Sequence, residues 1–510
     1  LPCLLYSMDL TVLHLAVPQL SADLAPSSAQ LLWIIDIYGF LVAGSLITMG
    51  TLGDRIGRRR LLLIGAGAFG IASVLAAFST SAELLIATRA LLGIAGATVA
   101  PSTLSLIRNM FLDPQQRTVA IGVWITSYSV GAAIGPLIGG VLLEFFWWGS
   151  VFLIAVPVMV LLLAVGPVLL PEYRDPEAGR PDLTSTALSL AAVLAVIYGL
   201  KRIAQDGFGW LPTLSILAGL AVGVVFVRRQ QKLADPLIDL RLFRVPGFSA
   251  SLATYGLGII VLFGGFLFLP QYLQLVLGLS PLQAGLWSVP WAVAFVVGSM
   301  LTPLIVRRVR PAFVMAAGLA LAAPGFAVFT QVDAATSLAV FVAGTVAFSL
   351  GLAPVFTLTT DLIVGSAPPE RAGAAAAISE TSAEFGGALG IAVYGSIGIV
   401  VYRSVMADAV PVGVPPDAAE VARATLGGAV ATAGQLSGQL GPALVDAARE
   451  AFIQGLRVSA AISVVGSLAL AVFTAAALRN TRTSDGAKSQ AESESRPEPT
   501  VGSTEVAPGV

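Results

Sequence analysis

The sequence predicts an all-α polytopic membrane protein with fourteen spans grouped as six, two and six. Three observations carry that prediction. Of 510 residues, 56% are hydrophobic and 11% charged, with a mean hydropathy of +0.88; a soluble chain carries about 25% charged residues. The apolar runs approach the roughly 20 residues that cross a bilayer's hydrocarbon core. Basic residues collect in alternate loops, as they do when one side of a membrane retains them.

In order, the expected spans are 1–18, 31–50, 61–79, 84–107, 118–142, 150–170, 185–202, 212–228, 248–273, 282–306, 312–331, 337–362, 373–402 and 456–478. With both termini cytoplasmic, the inward loops hold Arg55, Arg58, Arg59, Arg60, Arg108, Arg117, Arg174, Arg180, Arg228, Arg229 and Lys232. Arg241, Arg244, Arg307, Arg308, Arg310, Arg371, Arg479, Arg482, Lys488 and Arg496 follow, which makes 21 of the 28 basic residues. The opposite orientation would place them outside. Because the chain opens within an apolar run, the first helix is expected to begin upstream of Leu1. No basic region precedes that run, so no cleavable signal peptide is expected.

An internal repeat divides the chain. Pro18-Gln19 closes the first span, and Pro26 with Gln30 to Trp33 opens the second; Pro270-Gln271 and Pro281 with Gln283 to Trp287 repeat the pattern. Each copy reaches a basic loop about 20 residues later. The expected units are a six-helix half at 1–175, a two-helix insertion at 176–245 and a second half at 246–480. Residues 403–455 are expected as an outer loop, with a helical hairpin built from 416–426 and 441–452. Residues 481–510, rich in Ser, Glu, Pro, Thr and Gly, read as a disordered cytoplasmic tail.

Composition also excludes functions. A net charge of −1 and a pI near 6.0 give no basis for nucleic-acid binding. One cysteine, Cys3, permits no internal disulfide, and one histidine, His14, cannot build a metal cluster alone. There is no ATP-binding loop, so an ion gradient must supply energy; no cofactor, metal or catalytic residue is expected.

The stretch from Gly50 to Arg60 holds four arginines, Arg55, Arg58, Arg59 and Arg60, between two apolar runs. Gly50, Gly53 and Gly57 permit tight turns and close helix approach. Asp54 can pair with an Arg or with the positive N-terminus of the next helix. The stretch reads either as an ordinary cytoplasmic loop or as a charge network made and broken as helices rock.

Charges at lipid depth cost roughly 2.5–3.5 kcal/mol each on insertion scales. Asp9, Asp36, Arg89, Glu380 and Glu384 fall well within spans. A carboxylate there can exchange a proton and attract a cation, or can serve as a helix–helix hydrogen bond. Glu380 and Glu384 are four apart and share one helix face. Trp33 and Tyr38 flank Asp36 and can anchor at the interface or wall a flat cation. Arg89 reads as a counter-ion to Asp9 or Asp36. Asp361, Glu144, Lys201 and Arg202 read as interface charges at span ends. In span five, Gly131, Gly135, Gly139 and Gly140 favour close packing, and Pro136 removes a backbone bond.

These strings together resemble the major facilitator superfamily. Gly-x-Leu-x-Asp-Arg-x-Gly-Arg-Arg resembles its loop between helices two and three, thought to latch the halves on the cytoplasmic side. Arg89-Ala-Leu-Leu-Gly93 resembles its fourth-helix motif, and Gly131-x-x-x-Gly135-Pro136-x-x-Gly139-Gly140 resembles its antiporter motif, which importers usually lack. With Met8-Asp9-Leu-Thr11-Val12, Trp33-Ile-Ile-Asp36-Ile-Tyr38, Pro101-Ser-Thr-Leu-Ser-Leu-Ile-Arg108 and Gln274-Leu-Val-Leu-Gly-Leu-Ser-Pro281, the chain is similar to the fourteen-helix drug:proton antiporter branch.

The resemblance implies a bacterial inner-membrane exporter, a monomer, moving lipophilic and quaternary ammonium cations against protons. It makes Asp9, Asp36, Glu380, Glu384 and Arg89 candidate proton or cation sites. Some relatives have a further carboxylate in span ten; residues 289–300 here have none, which bears on dicationic cargo. The other readings are a metabolite or lipid exporter on the same fold, an importer, and a non-transporting receptor or scaffold.

Overall fold

Helices begin and end where the sequence supplies caps and breakers. A computed structural model describes residues 2–479 apart from 25, 27, 175–181, 208, 234–235, 237, 280, 334–335 and 369–371. The chain runs through α1 (Pro2–Leu24), α2 (Ser28–Ile56), α3 (Arg58–Ala77), α4 (Ala82–Gly96), α5 (Val99–Met110), α6 (Pro114–Phe145), α7 (Ser150–Leu153) and α8 (Ala155–Leu169). Then come α9 (Leu183–Asp206), α10 (Trp210–Gln230), α11 (Pro246–Phe266), α12 (Leu269–Gln271), α13 (Pro281–Ile305), α14 (Pro311–Phe329) and α15 (Leu338–Gly365). The last are α16 (Ala372–Ala409), α17 (Pro416–Ala424), α18 (Leu426–Ala433) and α19 (Leu440–Ala477).

Local chemistry sets these boundaries. Asp113 accepts from Gln116 N ahead of Pro114 and starts α6, and Asp182 accepts from Thr184 N and Ser185 N to start α9. Gly57, at φ 111°, turns the chain between α2 and α3 in a conformation that other residues resist. The fourth expected span breaks at Ala97 and Thr98. Pro101 has no N–H to give to the Ala97 carbonyl, so the helix restarts as α5.

Among the described residues, eleven helices are long and apolar enough to cross a membrane. The other three expected spans fall on α1, α6 and α9, of 23, 32 and 24 residues. The loop expected at 403–455 is shorter than that. Helix α16 continues to Ala409, and α19 starts at Leu440, so 441–452 extends the last span instead of forming a hairpin arm. Gly441-Pro442 sits in its first turn, where proline is tolerated, and no proline interrupts the Ala-rich stretch after it. The hairpin is α17 and α18, hinged at Thr425, whose hydroxyl caps α18, and Tyr402 Oη ties it to α16 by donating to Ala422 O at 2.7 Å. The expected tail at 481–510 lies outside the described residues, as do Arg180 and Arg371.

One apolar core gathers α1–α4, α7 and α8 around Tyr6, Tyr38, Phe69 and Phe152. A larger one joins α11–α19 with parts of α5 and α6, and includes the stacked pair Phe326 and Phe348 at 4.9 Å. Helix α9 wedges between them: Val193 and Ile197 pack with Phe40 and Ala43 of α2 and Ala388 of α16.

Candidate functional site

At the centre of the first core, α1 carries Asp9, α4 carries Arg89 and α2 carries Tyr38. Arg89 is 1% exposed. Its Nη1 donates to Asp9 Oδ2 at 2.6 Å, its Nε donates to Ile34 O at 3.2 Å, and its guanidinium lies 4.7 Å from the Tyr38 ring centroid. A charge this deep is tolerable only when paired and further hydrogen-bonded, and Arg89 has both. Of the two counter-ion choices open in the sequence, the described geometry brings Arg89 to Asp9. The side chains of Asp36 and His14 lie outside the described residues.

An aromatic wall leads from this pair toward α16. The Tyr6 ring lies 6.1 Å from Tyr38 and 5.6 Å from Tyr128, which lies 4.6 Å from Trp124. Tyr6 Oη donates to Glu384 Oε1 at 3.3 Å, so α1 touches α16 through 378 positions of sequence. One turn away, Glu380 Oε1 is buried without a hydrogen-bond partner among the described residues, as are Tyr38 Oη and Tyr128 Oη. Buried polar atoms ordinarily find partners. Three that lack them around one carboxylate and an aromatic wall make a place for a cationic group or a proton. Trp33 does not join this wall; it is 43% exposed and meets Phe40 edge-on.

At the basic-loop end, α2 is tied to α16. Asp54 ion-pairs with Arg58, and its Oδ2 accepts from Ala374 N, at the start of α16, at 3.2 Å. Arg58 Nη1 donates to Gly50 O at 2.6 Å. A Cβ on Gly50 would sit 2.5 Å from Ala377 Cβ, so α2 and α16 cross with no room for a side chain. Gly53 is buried beside Arg58, and Arg55 is half-buried. Glu172 caps α3 by accepting from Arg59 N at 3.0 Å and Arg60 N at 3.1 Å. Arg59 Nη1 donates to Pro167 O and Leu170 O, so Arg59 holds the end of α8 and not the far half of the sequence.

Asp361 corrects the reading as an interface charge. It is 2% exposed and pairs with the buried Arg117: Nε donates to Oδ1 at 2.7 Å, and Thr118 Oγ1 donates to Oδ2 at 2.8 Å. This joins the start of α6 to the end of α15. Sequence reasoning missed it, and missed Tyr6, Tyr128 and Trp124. The available signals were spacings: Tyr6 lies three residues before Asp9, and Trp124 and Tyr128 share a helix face.

Of the small-residue string on α6, Gly131 serves close packing, since a Cβ there would lie 2.2 Å from Leu4 O of α1. Gly135 and Gly139 are buried, Gly140 faces open space, and the Pro136 ring lies outside the described residues.

The Major Facilitator Superfamily profile matches residues 3–391. The multidrug efflux pump LfrA of Mycolicibacterium smegmatis is 43% identical over 94% of this chain and 95% of its own. The methyl viologen resistance protein SmvA of Salmonella typhimurium is 39% identical over 91% of this chain and 93% of its own. The crystal structure of the human organic anion transporter MFSD10 superposes with a TM-score of 0.57 at 16% identity, over 91% of this chain and 97% of that one. That last likeness speaks for the fold alone.

Proposed function

This chain belongs to the major facilitator superfamily, and on that premise we propose that it exports lipophilic and quaternary ammonium cations in exchange for protons, by alternating access. It is a multi-pass membrane transporter, not an enzyme, and its relatives include multidrug efflux pumps. The proposal places all fourteen expected spans in the bacterial inner membrane, as two six-helix halves around the α9–α10 insertion. Both termini and the Asp54–Arg58 latch face the cytoplasm, and the unit is a monomer.

One observation carries the cation and proton reading: the unpartnered Glu380 oxygen, a turn from Glu384, against the wall of Tyr6, Tyr38 and Tyr128. The aromatic faces attract a flat cation, and the carboxylates neutralise its charge. Asp9 is already balanced by Arg89, so the carboxylate oxygen left for a cation or a proton is that of Glu380 on α16. In the cycle, a cation enters from the cytoplasm or inner leaflet once the latch opens. It pairs with the α16 carboxylates, and the halves rock. Protons from outside then take its place, so drug and proton compete for the same oxygens. Each net charge moved gains about 2.3 kcal/mol per 100 mV, so exchanging more protons than drug charges adds drive. The methyl viologen in SmvA's name extends the test set to dications.

The test uses purified protein in liposomes with an imposed pH gradient, following ethidium or a quaternary ammonium dye. Uptake into acidic-lumen vesicles that stops when the gradient collapses is expected. Gradient-independent movement, or none in correctly inserted protein, overturns the proposal.

A further inference from the structure

A second recess lies on the far face of α16. It is a groove of about 1120 Å³ between the α9–α10 insertion and helices α11 and α16. Its walls are aliphatic and aromatic, and Leu220, Val224, Leu257 and Leu389 remain exposed along it. Three of its walls, α10, α11 and α16, are long and apolar enough to cross a membrane, so the groove opens sideways at hydrocarbon depth. Water there would leave apolar surface wetted, and an acyl chain is the filling the surroundings supply.

One end of the groove is different. Arg228 and Gln231 line it, where α10 reaches the basic-loop side. Two neighbouring cations are engaged: Arg229 Nη2 donates to Asp182 Oδ2 at 2.9 Å, and Arg241 pairs with Asp239 at 3.0 Å. Lys232 and Arg244 are exposed and do not line the groove. Arg228 is exposed and makes no ion pair among the described residues. An apolar slot lined at one end by a guanidinium with no ion pair among the described residues matches a lipid of two acyl chains whose phosphate charge no headgroup cation offsets.

We propose that this groove is a binding site for an anionic phospholipid of the leaflet at the basic-loop side, with an acyl chain between α10 and α11 and its phosphate on Arg228. The site is separate from the cation site: Ser382, Phe385 and Leu389 face the groove, whereas Glu384 turns to Tyr6 on the other side of the helix. Because α9 packs on both α2 and α16, the lipid stiffens a joint that moves when the halves rock.

The experiment places full-length protein in nanodiscs with trace phosphatidylglycerol or phosphatidylcholine carrying the same photoreactive acyl chain, and maps adducts by peptide mass spectrometry. The phosphatidylglycerol probe is expected to label peptides containing Val224, Leu257 and Leu389 roughly five-fold more than phosphatidylcholine, the worth of one guanidinium at an anionic surface. Arg228→Gln should erase that preference, and Val224→Trp, which fills the slot, should remove both labels there. Equal labelling by the two headgroups, indifference to Arg228→Gln, or adducts spread evenly over all lipid-facing helices would overturn the proposal. So would loss of the label to excess cationic dye, which would make the groove a cargo path. None of these readouts depends on transport, so failure here leaves the cation proposal standing.

Discussion

Arg117 and Asp361, 244 positions apart in sequence, meet at 2.7 Å in the protein interior and lock the start of α6 to the end of α15. Together with Asp54 on the backbone of Ala374, this gives two buried connections at one end of the molecule between helices distant in sequence. A transporter that opens at this end must break both.

Removing one partner strands the other charge, at about 3–5 kcal/mol. Asp361→Ala should therefore disfavour the latched state and slow transport at least roughly tenfold. The single native cysteine reports on it: Cys3 is 4% exposed and sits beside Thr103. Maleimide labelling of Cys3 should rise in Asp361→Ala, and unchanged labelling would show that the pair does not hold this end shut.

At the crossing of α2 and α16, Gly50→Val has nowhere to go, because Ala377 Cβ and Gly373 O already stand 2.5 and 2.6 Å from the position of a Cβ. Transport should be lost with expression preserved. Gly67→Ala, which meets nothing within 4 Å, is the control and should be neutral.

Arg89→Ala leaves the half-buried Asp9 without its ion-pair partner, so it should lower thermal stability as well as transport. The double variant Asp9→Asn/Arg89→Ala should recover stability, with a coupling of about 0.5–3 kcal/mol. Additive losses would contradict the direct pair. Recovered stability without recovered transport would separate the structural role of the pair from its role in the cycle.

Glu380→Gln keeps shape but cannot exchange a proton. Uphill dye movement driven by a pH gradient should fall to background, while downhill dye exchange persists. Full activity in both Glu380→Gln and Asp9→Asn would sink the assignment of these carboxylates to coupling.

The Asp182 carboxyl is held below its usual range, first by the Ser185 hydroxyl and then by the Ser185 N–H and Arg229. A folded-state value below the unfolded one means that its contribution is present above about pH 4 and is lost as pH falls through the folded value. Asp182→Ala should cost about 1 kcal/mol of cap stability at pH 7. The gap from wild type should narrow below pH 4 in thermal unfolding; a gap independent of pH would rule out the titrating cap.

The Asp54–Arg58 pairing and the close approach at Gly50 were legible because these residues are contiguous. Gly50, Asp54 and Arg58 lie on one short stretch, and their spacing announces close approach and charge pairing before any partner is known. Of the small residues of α6, Gly131 packs closely against Leu4 as its type suggests, whereas Gly140 faces open space. Asp361 was not legible. At the end of an apolar run it looks like any interface carboxylate, and only the packing of α15 on α6 excludes water from it. Residues 441–452 misled differently: their helical composition was read correctly, but nothing local told whether that helix stood alone or continued the last span.

The sequence by itself determined the helical class, the expected order of membrane segments and the polar stretches that interrupt them. Run length, loop charge and capping residues are local properties, and a bilayer responds to them segment by segment. The tertiary structure alone decided which polar groups within the helices meet: Arg89 with Asp9, Arg117 with Asp361, Tyr6 with Glu384. Those pairings arise when helices far apart in the chain exclude water from each other's polar groups, and no window of sequence contains both partners.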